Sequence, residues 1–89
     1  MIERELTVTN QLGLHARATA RLVQLLSGYG CSATLAAKGR EVNAKSIMGV
    51  MLLAAGRGTK VLLRVDGEDE QACADAVAAL FERGFDENP

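Results

Sequence analysis

Cys31-Ser32-Ala33-Thr34-Leu35-Ala36-Ala37-Lys38-Gly39-Arg40-Glu41-Val42-Asn43 is the stretch on which the fold turns. Cys31, Ala33, Leu35 and Ala37 recur at every second position among polar or small residues, the period of a strand with one buried face. Lys38-Gly39 supplies a tight turn and Arg40 to Asn43 runs back, so the segment reads as a β-hairpin. Two strands alone are marginally stable in water, and such a hairpin needs further strands beside it or helices over its apolar face.

Both are present in the flanking sequence. Upstream, Ile2, Leu6 and Val8 alternate with Glu3, Glu5 and Thr7 as a first strand, with Arg4 intruding on the apolar face. Asn10-Gln11-Leu12-Gly13 makes a loop. Ala16, Ala20, Val23 and Leu26 then follow helical spacing, Arg17, Arg21 and Gln24 line another face, and Gly28 and Gly30 end the helix. Downstream, a short helix begins after Ser46, runs through Ile47-Met48-Gly49-Val50-Met51-Leu52-Leu53 and halts at Gly56-Arg57-Gly58. Val61, Leu63 and Val65 alternate through a strand that ends at Asp66-Gly67. The last helix opens with Glu68, Asp69 and Glu70, acids suited to the positive end of a helix dipole. It is predicted to bury Cys73, Ala76, Val77, Leu80 and Phe81 and to stop at Gly84. Asp86 to Pro89 reads as a frayed tail. The order is βαββαβα, an α+β fold in which three amphipathic helices cover one face of a four-stranded, mostly antiparallel sheet.

At 89 residues and 48% apolar content, residues 1–89 fit one small domain with a modest core and no linker or repeat. A net charge of −1 and 3% aromatic residues argue against nucleic-acid binding, which calls for a basic face or stacking aromatics. No apolar stretch reaches the roughly 18 to 20 residues of a membrane span. Met1-Ile2-Glu3-Arg4-Glu5 lacks the basic end and apolar stretch of a signal peptide, so a cytoplasmic protein with no membrane insertion is expected. Cys31 and Cys73 fall at apolar phases and read as packing residues. One histidine and two distant cysteines offer no metal-ligand spacing, and no cofactor is implied.

Chemistry concentrates in Gly13-Leu14-His15-Ala16-Arg17-Ala18-Thr19, where a turn gives way to a helix. His15 is the only histidine, and a neutral imidazole offers a nucleophilic lone pair at physiological pH. The first N–H groups of a helix lack intrahelical partners and attract anions. An arginine two residues on adds a charge, which makes phosphoryl transfer through His15 the leading reading. On this segment alone, a plain surface or N-cap histidine fits as well. Ser46 similarly fits an N-cap, and Ile47, Met48 and Met51 fit either a core helix or an exposed apolar patch of the kind that meets partners.

Gly13-Leu14-His15-Ala16-Arg17 resembles the active-site signature of the HPr family, the histidine-containing phosphocarriers of the bacterial phosphoenolpyruvate-dependent phosphotransferase system. Asn43-Ala44-Lys45-Ser46-Ile47-Met48-Gly49-Val50-Met51 resembles the family's regulatory-serine segment, and length and element order match across the whole chain. The resemblance implies an open-faced β-sandwich, and a monomeric carrier that is not itself an enzyme. It would accept a phosphoryl group from enzyme I on His15, usually at Nδ1, and donate it to IIA proteins. It further implies that the N–H groups of Ala16, Arg17 and Ala18 cradle the phosphate and that Arg17 balances its charge. Arg21, Ile47, Met48 and Met51 would then meet partners, and Ser46 would be a target of an HPr kinase/phosphorylase. Ala18 departs from the proline usual at that position. The tail Leu80-Phe81-Glu82-Arg83-Gly84-Phe85-Asp86-Glu87 resembles the nitrogen-related branch, while the Ser46 segment resembles carriers with a serine switch. A regulatory protein of the nitrogen-related branch acting through protein binding is therefore the alternative. An enzyme with its own turnover would need more catalytic groups than one histidine and one arginine, and Gly56-Arg57-Gly58-Thr59-Lys60 lacks the spacing of a phosphate-binding loop.

Overall fold

The hairpin lies inside a four-stranded sheet. In the computed structural model, which describes residues 1 to 87, the strands are β1 (Ile2–Thr7), β2 (Ser32–Ala37), β3 (Arg40–Asn43) and β4 (Lys60–Asp66), and the helices are α1 (Ala16–Leu26), α2 (Ile47–Leu52) and α3 (Glu70–Glu82). The strand order is β1-β4-β2-β3, and every neighbouring pair is antiparallel. Lys38 and Gly39 turn the hairpin with φ of 55° and 76°, the two positive values that match the strand twist of a two-residue loop.

Register sorts the side chains into two faces. Leu6 lies opposite Val61, Leu63 opposite Leu35 and Val65 opposite Ala33, and all six are buried under the helices. The other face carries Glu3, Arg64 and Glu41, which form ion pairs across the strands. One apolar and one charged face explain why helices cover a single side of the sheet. Arg4, the intruder on the inner row of β1, reaches past the core to the Ala74 carbonyl and the Asp75 carboxylate, 3.3 and 3.0 Å away. Its stem packs while its charge stays wet.

Two helix faces differ from the sequence expectation. In α1 the buried residues are Ala18, Thr19, Leu22 and Leu26, whereas Ala16 and Ala20 are exposed. Burial free energy scales with apolar area, so the leucines set the orientation and the small alanines follow. In α3, Ala74 is buried and Ala76 only partly so. Asp69 stands at the N-cap position without capping α3. Its carboxylate accepts the N–H groups of Gly30 and Cys31 at 2.8 and 3.0 Å, and the Gly30 bond above all holds it below the usual aspartate range. Cys31 and Cys73 are both buried and free. Burial first, then the neighbouring Cys31 thiol, pushes the Cys73 thiol up to about 12, which suits packing residues.

The frayed tail is corrected. Gly84 follows α3 with φ of 61°, and Gly84–Asp86 form a 3-10 turn in which Phe85 is fully buried. The Phe85 ring centroid lies 4.8 Å from that of Phe81. Asp86 pairs with Arg83 at 2.8 Å, and Glu87 reaches the loop before α1. A single aromatic anchor therefore orders a segment whose charges read as solvated; Asn88 and Pro89 lie outside the described residues.

Candidate functional site

The loop before α1 is docked tightly on the α2–β4 connection. Gly13 has φ of 66°, and a Cβ there would sit 2.5 Å from the Ala55 carbonyl oxygen and 2.7 Å from the Gly56 Cα, so both conformation and space require glycine. Leu14 donates its N–H to that same Ala55 carbonyl at 2.9 Å and buries its side chain. Two bonds then set the helix start: Thr19 Oγ1 donates to the Leu14 carbonyl at 3.1 Å, and Thr19 N–H donates to the His15 carbonyl at 2.9 Å.

His15 is the N-cap residue, with extended backbone and no side-chain cap. The N–H groups of Ala16, Arg17 and Ala18 in the first turn consequently have no intrahelical acceptor and are free to meet an anion. The Ala18 side chain is fully buried, which fixes that turn without the rigidity of proline. The His15 side chain is 29% exposed, with Nε2 3.0 Å from Glu87 Oε2 and Nδ1 3.1 Å from the Gly13 carbonyl. Asn10 Nδ2 links the two acceptors, donating to the Gly13 carbonyl at 2.7 Å and to Glu87 Oε1 at 2.9 Å.

Around the ring an open cleft is lined by Arg17, Arg21, Arg57 and Arg83 together with Glu82, Asp86 and Glu87. Arg17 is exposed and takes no hydrogen bond or ion pair among the described residues, so its guanidinium is available to an incoming anion. Arg21 is instead engaged, donating to the Phe85 carbonyl and so tying the tail to α1. Asn10, Arg57 and Glu87 were not foreseen as site residues. Asn10 had a local signal, since an asparagine three residues before a glycine marks a turn, and Gly13 N–H does bond the Asn10 carbonyl at 3.2 Å.

The second segment is separate from this cleft. Ser46 caps α2, its Oγ accepting the Gly49 N–H at 3.0 Å. Ile47, Met48 and Met51 are exposed, together with Leu52 on the same helix and Leu12 on the loop before α1. No helix is long and apolar enough to cross a membrane among the described residues, and none of those residues form a cluster of three or more His, Cys, Asp or Glu side chains suited to a metal ion.

Comparison with known proteins agrees with the fold. Residues 2–83 match the family model described as the PTS HPr component phosphorylation site. The chain is 62% identical over 88 residues to the phosphocarrier protein HPr of Xylella fastidiosa strain Temecula1, covering 99% of both chains. It is 51% identical over 87 residues to that of Cupriavidus necator, covering 98% of both. The crystal structure of HPr-C-His from Thermoanaerobacter tengcongensis superimposes with a TM-score of 0.95 at 37% identity, with all of both chains covered. With the fold, the sequence signature and the relatives in agreement, the chain belongs to the HPr family, the phosphocarriers of the bacterial phosphotransferase system.

Proposed function

We propose that His15 is the phosphoryl acceptor, taking the group from phosphorylated enzyme I and passing it to IIA proteins, so that the chain acts as a stoichiometric carrier and not as an enzyme with its own substrate. The observation that carries this reading is a half-buried imidazole at the mouth of α1, beside three unpartnered first-turn N–H groups and the free guanidinium of Arg17. Donors aimed at a phosphoryl group stabilise both the bound phosphate and the group in flight, and positioning with electrostatics does most of the work in such transfers. Ser46 is a regulatory site for an HPr kinase/phosphorylase: it is part-exposed at a helix N-terminus, and a phosphate there would set a charge beside the Ile47, Met48 and Met51 patch. That patch and Arg21 are the surfaces offered to enzyme I and the IIA proteins. Incubation with phosphoenolpyruvate and enzyme I, read by intact mass, is expected to add one acid-labile, alkali-stable phosphoryl group to the wild type and none to His15→Ala. The same labile phosphate on His15→Ala would refute the assignment.

A further inference from the structure

Both nitrogens of the His15 ring face acceptors, Glu87 Oε2 at 3.0 Å and the Gly13 carbonyl at 3.1 Å. A neutral imidazole has one N–H and can satisfy only one of them. The two are not equal. A carboxylate is the stronger acceptor, because hydrogen bonds to an ionised group are roughly twice as strong as neutral ones. Glu87 is also fixed in place: its side chain is 17% exposed, its other oxygen accepts from Asn10 at 2.9 Å, and its segment is anchored by the buried Phe85 and by Arg21 on the Phe85 carbonyl.

We propose that Glu87, held by Asn10, is a positioning residue for phosphoryl transfer at His15. Its carboxylate keeps the ring proton on Nε2 and leaves the lone pair on Nδ1, where no donor holds it: the Gly13 carbonyl 3.1 Å away is itself an acceptor, so the ring swings Nδ1 off that carbonyl to meet phosphorus. The inference rests on the assignment of His15 as the acceptor and adds what chooses the nitrogen. In the transfer, the P–N bond forms on the Nδ1 lone pair while the bond from phosphorus to the donor imidazole of phosphorylated enzyme I breaks, its electron pair leaving with that ring. Nε2 keeps its proton throughout. The phosphorylated ring is therefore a cation whose N–H stays on Glu87, and the step needs no general base. In the onward transfer the same proton lets His15 leave as neutral imidazole. A carboxylate oriented on the far nitrogen of a histidine sets tautomer and ring angle in the same way at metal sites and in hydrolase triads.

The test uses the whole chain, with Glu87→Ala and Glu87→Gln beside the wild type. Long-range 1H–15N spectra of the unphosphorylated protein read the His15 tautomer, 15N–31P coupling reads the phosphorylated nitrogen, and rapid quench reads transfer from phosphorylated enzyme I. Losing such an orienting partner typically costs about 10- to 100-fold, and with a partly exposed ring a fall of about tenfold is expected for Glu87→Ala, with a rise in the Nδ1–H tautomer. Glu87→Gln keeps a neutral acceptor of the same length and is expected to fall between the two, while melting curves show that all three are folded. A phosphoryl group on Nε2 of the wild type, unchanged tautomer and rates in Glu87→Ala, or faster transfer in that variant would each overturn the proposal. If the wild type is not phosphorylated on His15 at all, the assignment of the acceptor fails, and the tautomer spectra of the unphosphorylated proteins still decide whether Glu87 orients the ring.

Discussion

Replacing Phe85 by alanine isolates the one apolar contact that orders the segment after α3. Phe85 is fully buried and its ring lies 4.8 Å from Phe81 at 57°, a tilted arrangement favourable to aromatic pairs. Truncating a buried phenylalanine costs about 3 to 5 kcal/mol. Two features place this site near the lower bound. The segment is close to the end of the chain and can fray, regaining backbone entropy, and fraying also releases the left-handed φ of 58° that Phe85 adopts. A cost of about 3 kcal/mol in a domain of this size lowers the melting temperature by roughly 12 to 24 °C, at about 4 to 8 °C per kcal/mol. Thermal unfolding followed by circular dichroism measures it. The variant should also free Glu87 from His15, visible in the chemical shifts of the imidazole. A fall of less than about 4 °C, under 1 kcal/mol by the same conversion, would show that the segment is not packed and would remove the basis for its role at the site.

Arg17→Ala is expected to leave the melting temperature unchanged, since an exposed guanidinium without a partner adds little stability, and to slow transfer from enzyme I and to a IIA protein by roughly 10² -fold, as loss of a transition-state donor does; equal rates in rapid-quench assays would reduce it to a surface residue. Ser46→Ala should cost about 1 kcal/mol through the lost cap on the Gly49 N–H, whereas Ser46→Asp keeps a capping oxygen and a favourable charge, retains stability and slows phosphorylation by enzyme I; unchanged enzyme I kinetics would count against the switch. The depressed Asp69 carboxyl, held chiefly by the Gly30 N–H, contributes stability that is present above the ordinary aspartate value of 3.8 and is lost as pH falls through its lower folded value. Asp69→Asn should flatten that acid limb in unfolding curves taken at successive pH values, and an unchanged limb would mean that other carboxylates carry it.

The strands were legible because their faces differ sharply. Along β2 and β4 the buried positions alternate without a break, and the hairpin turn names itself through Lys38-Gly39. Helix orientation was less legible. Period alone weighted Ala16 and Ala20 like leucines and passed over Thr19, whose hydroxyl is satisfied on the Leu14 carbonyl and whose side chain is buried. At the site, His15, Arg17 and the helix entrance could be read locally because they occupy consecutive positions. Glu87 could not. Its bond to Asn10 joins residues 77 positions apart, and it depends on a turn whose only apolar residue, Phe85, has no periodic neighbour of its own. Asp69 shows the same limit in another form, since an acid at a helix start suggests a cap for that helix while here it ties down the loop after α1.

The charge around His15 also bears on why a carrier is built this way. Four arginines face three carboxylates in the cleft, so the surroundings hold about one excess positive charge, while a phosphoryl group brings roughly two negative ones. Part of the difference is met by the first-turn N–H groups of α1, whose combined effect equals about half a positive charge, and part by the ring itself if Nε2 keeps its proton. The phosphorylated site is then close to neutral without being strongly attractive. A deeper basic pocket would hold the phosphate more tightly and would have to be overcome at each onward transfer, because binding the ground state and the transition state equally well gives no acceleration. In this cleft Arg21 and Arg83 are already engaged by the Phe85 carbonyl and by Asp86, which leaves Arg17, on the first turn of α1 beside His15, and Arg57 across the cleft as the charges free to follow the group between donor and acceptor. A further free arginine, obtained by releasing Arg83 through Asp86→Asn, should therefore prolong the life of the phosphorylated form and slow its transfer to a IIA protein, and the two effects should appear together, since both come from the same added attraction to the phosphoryl group.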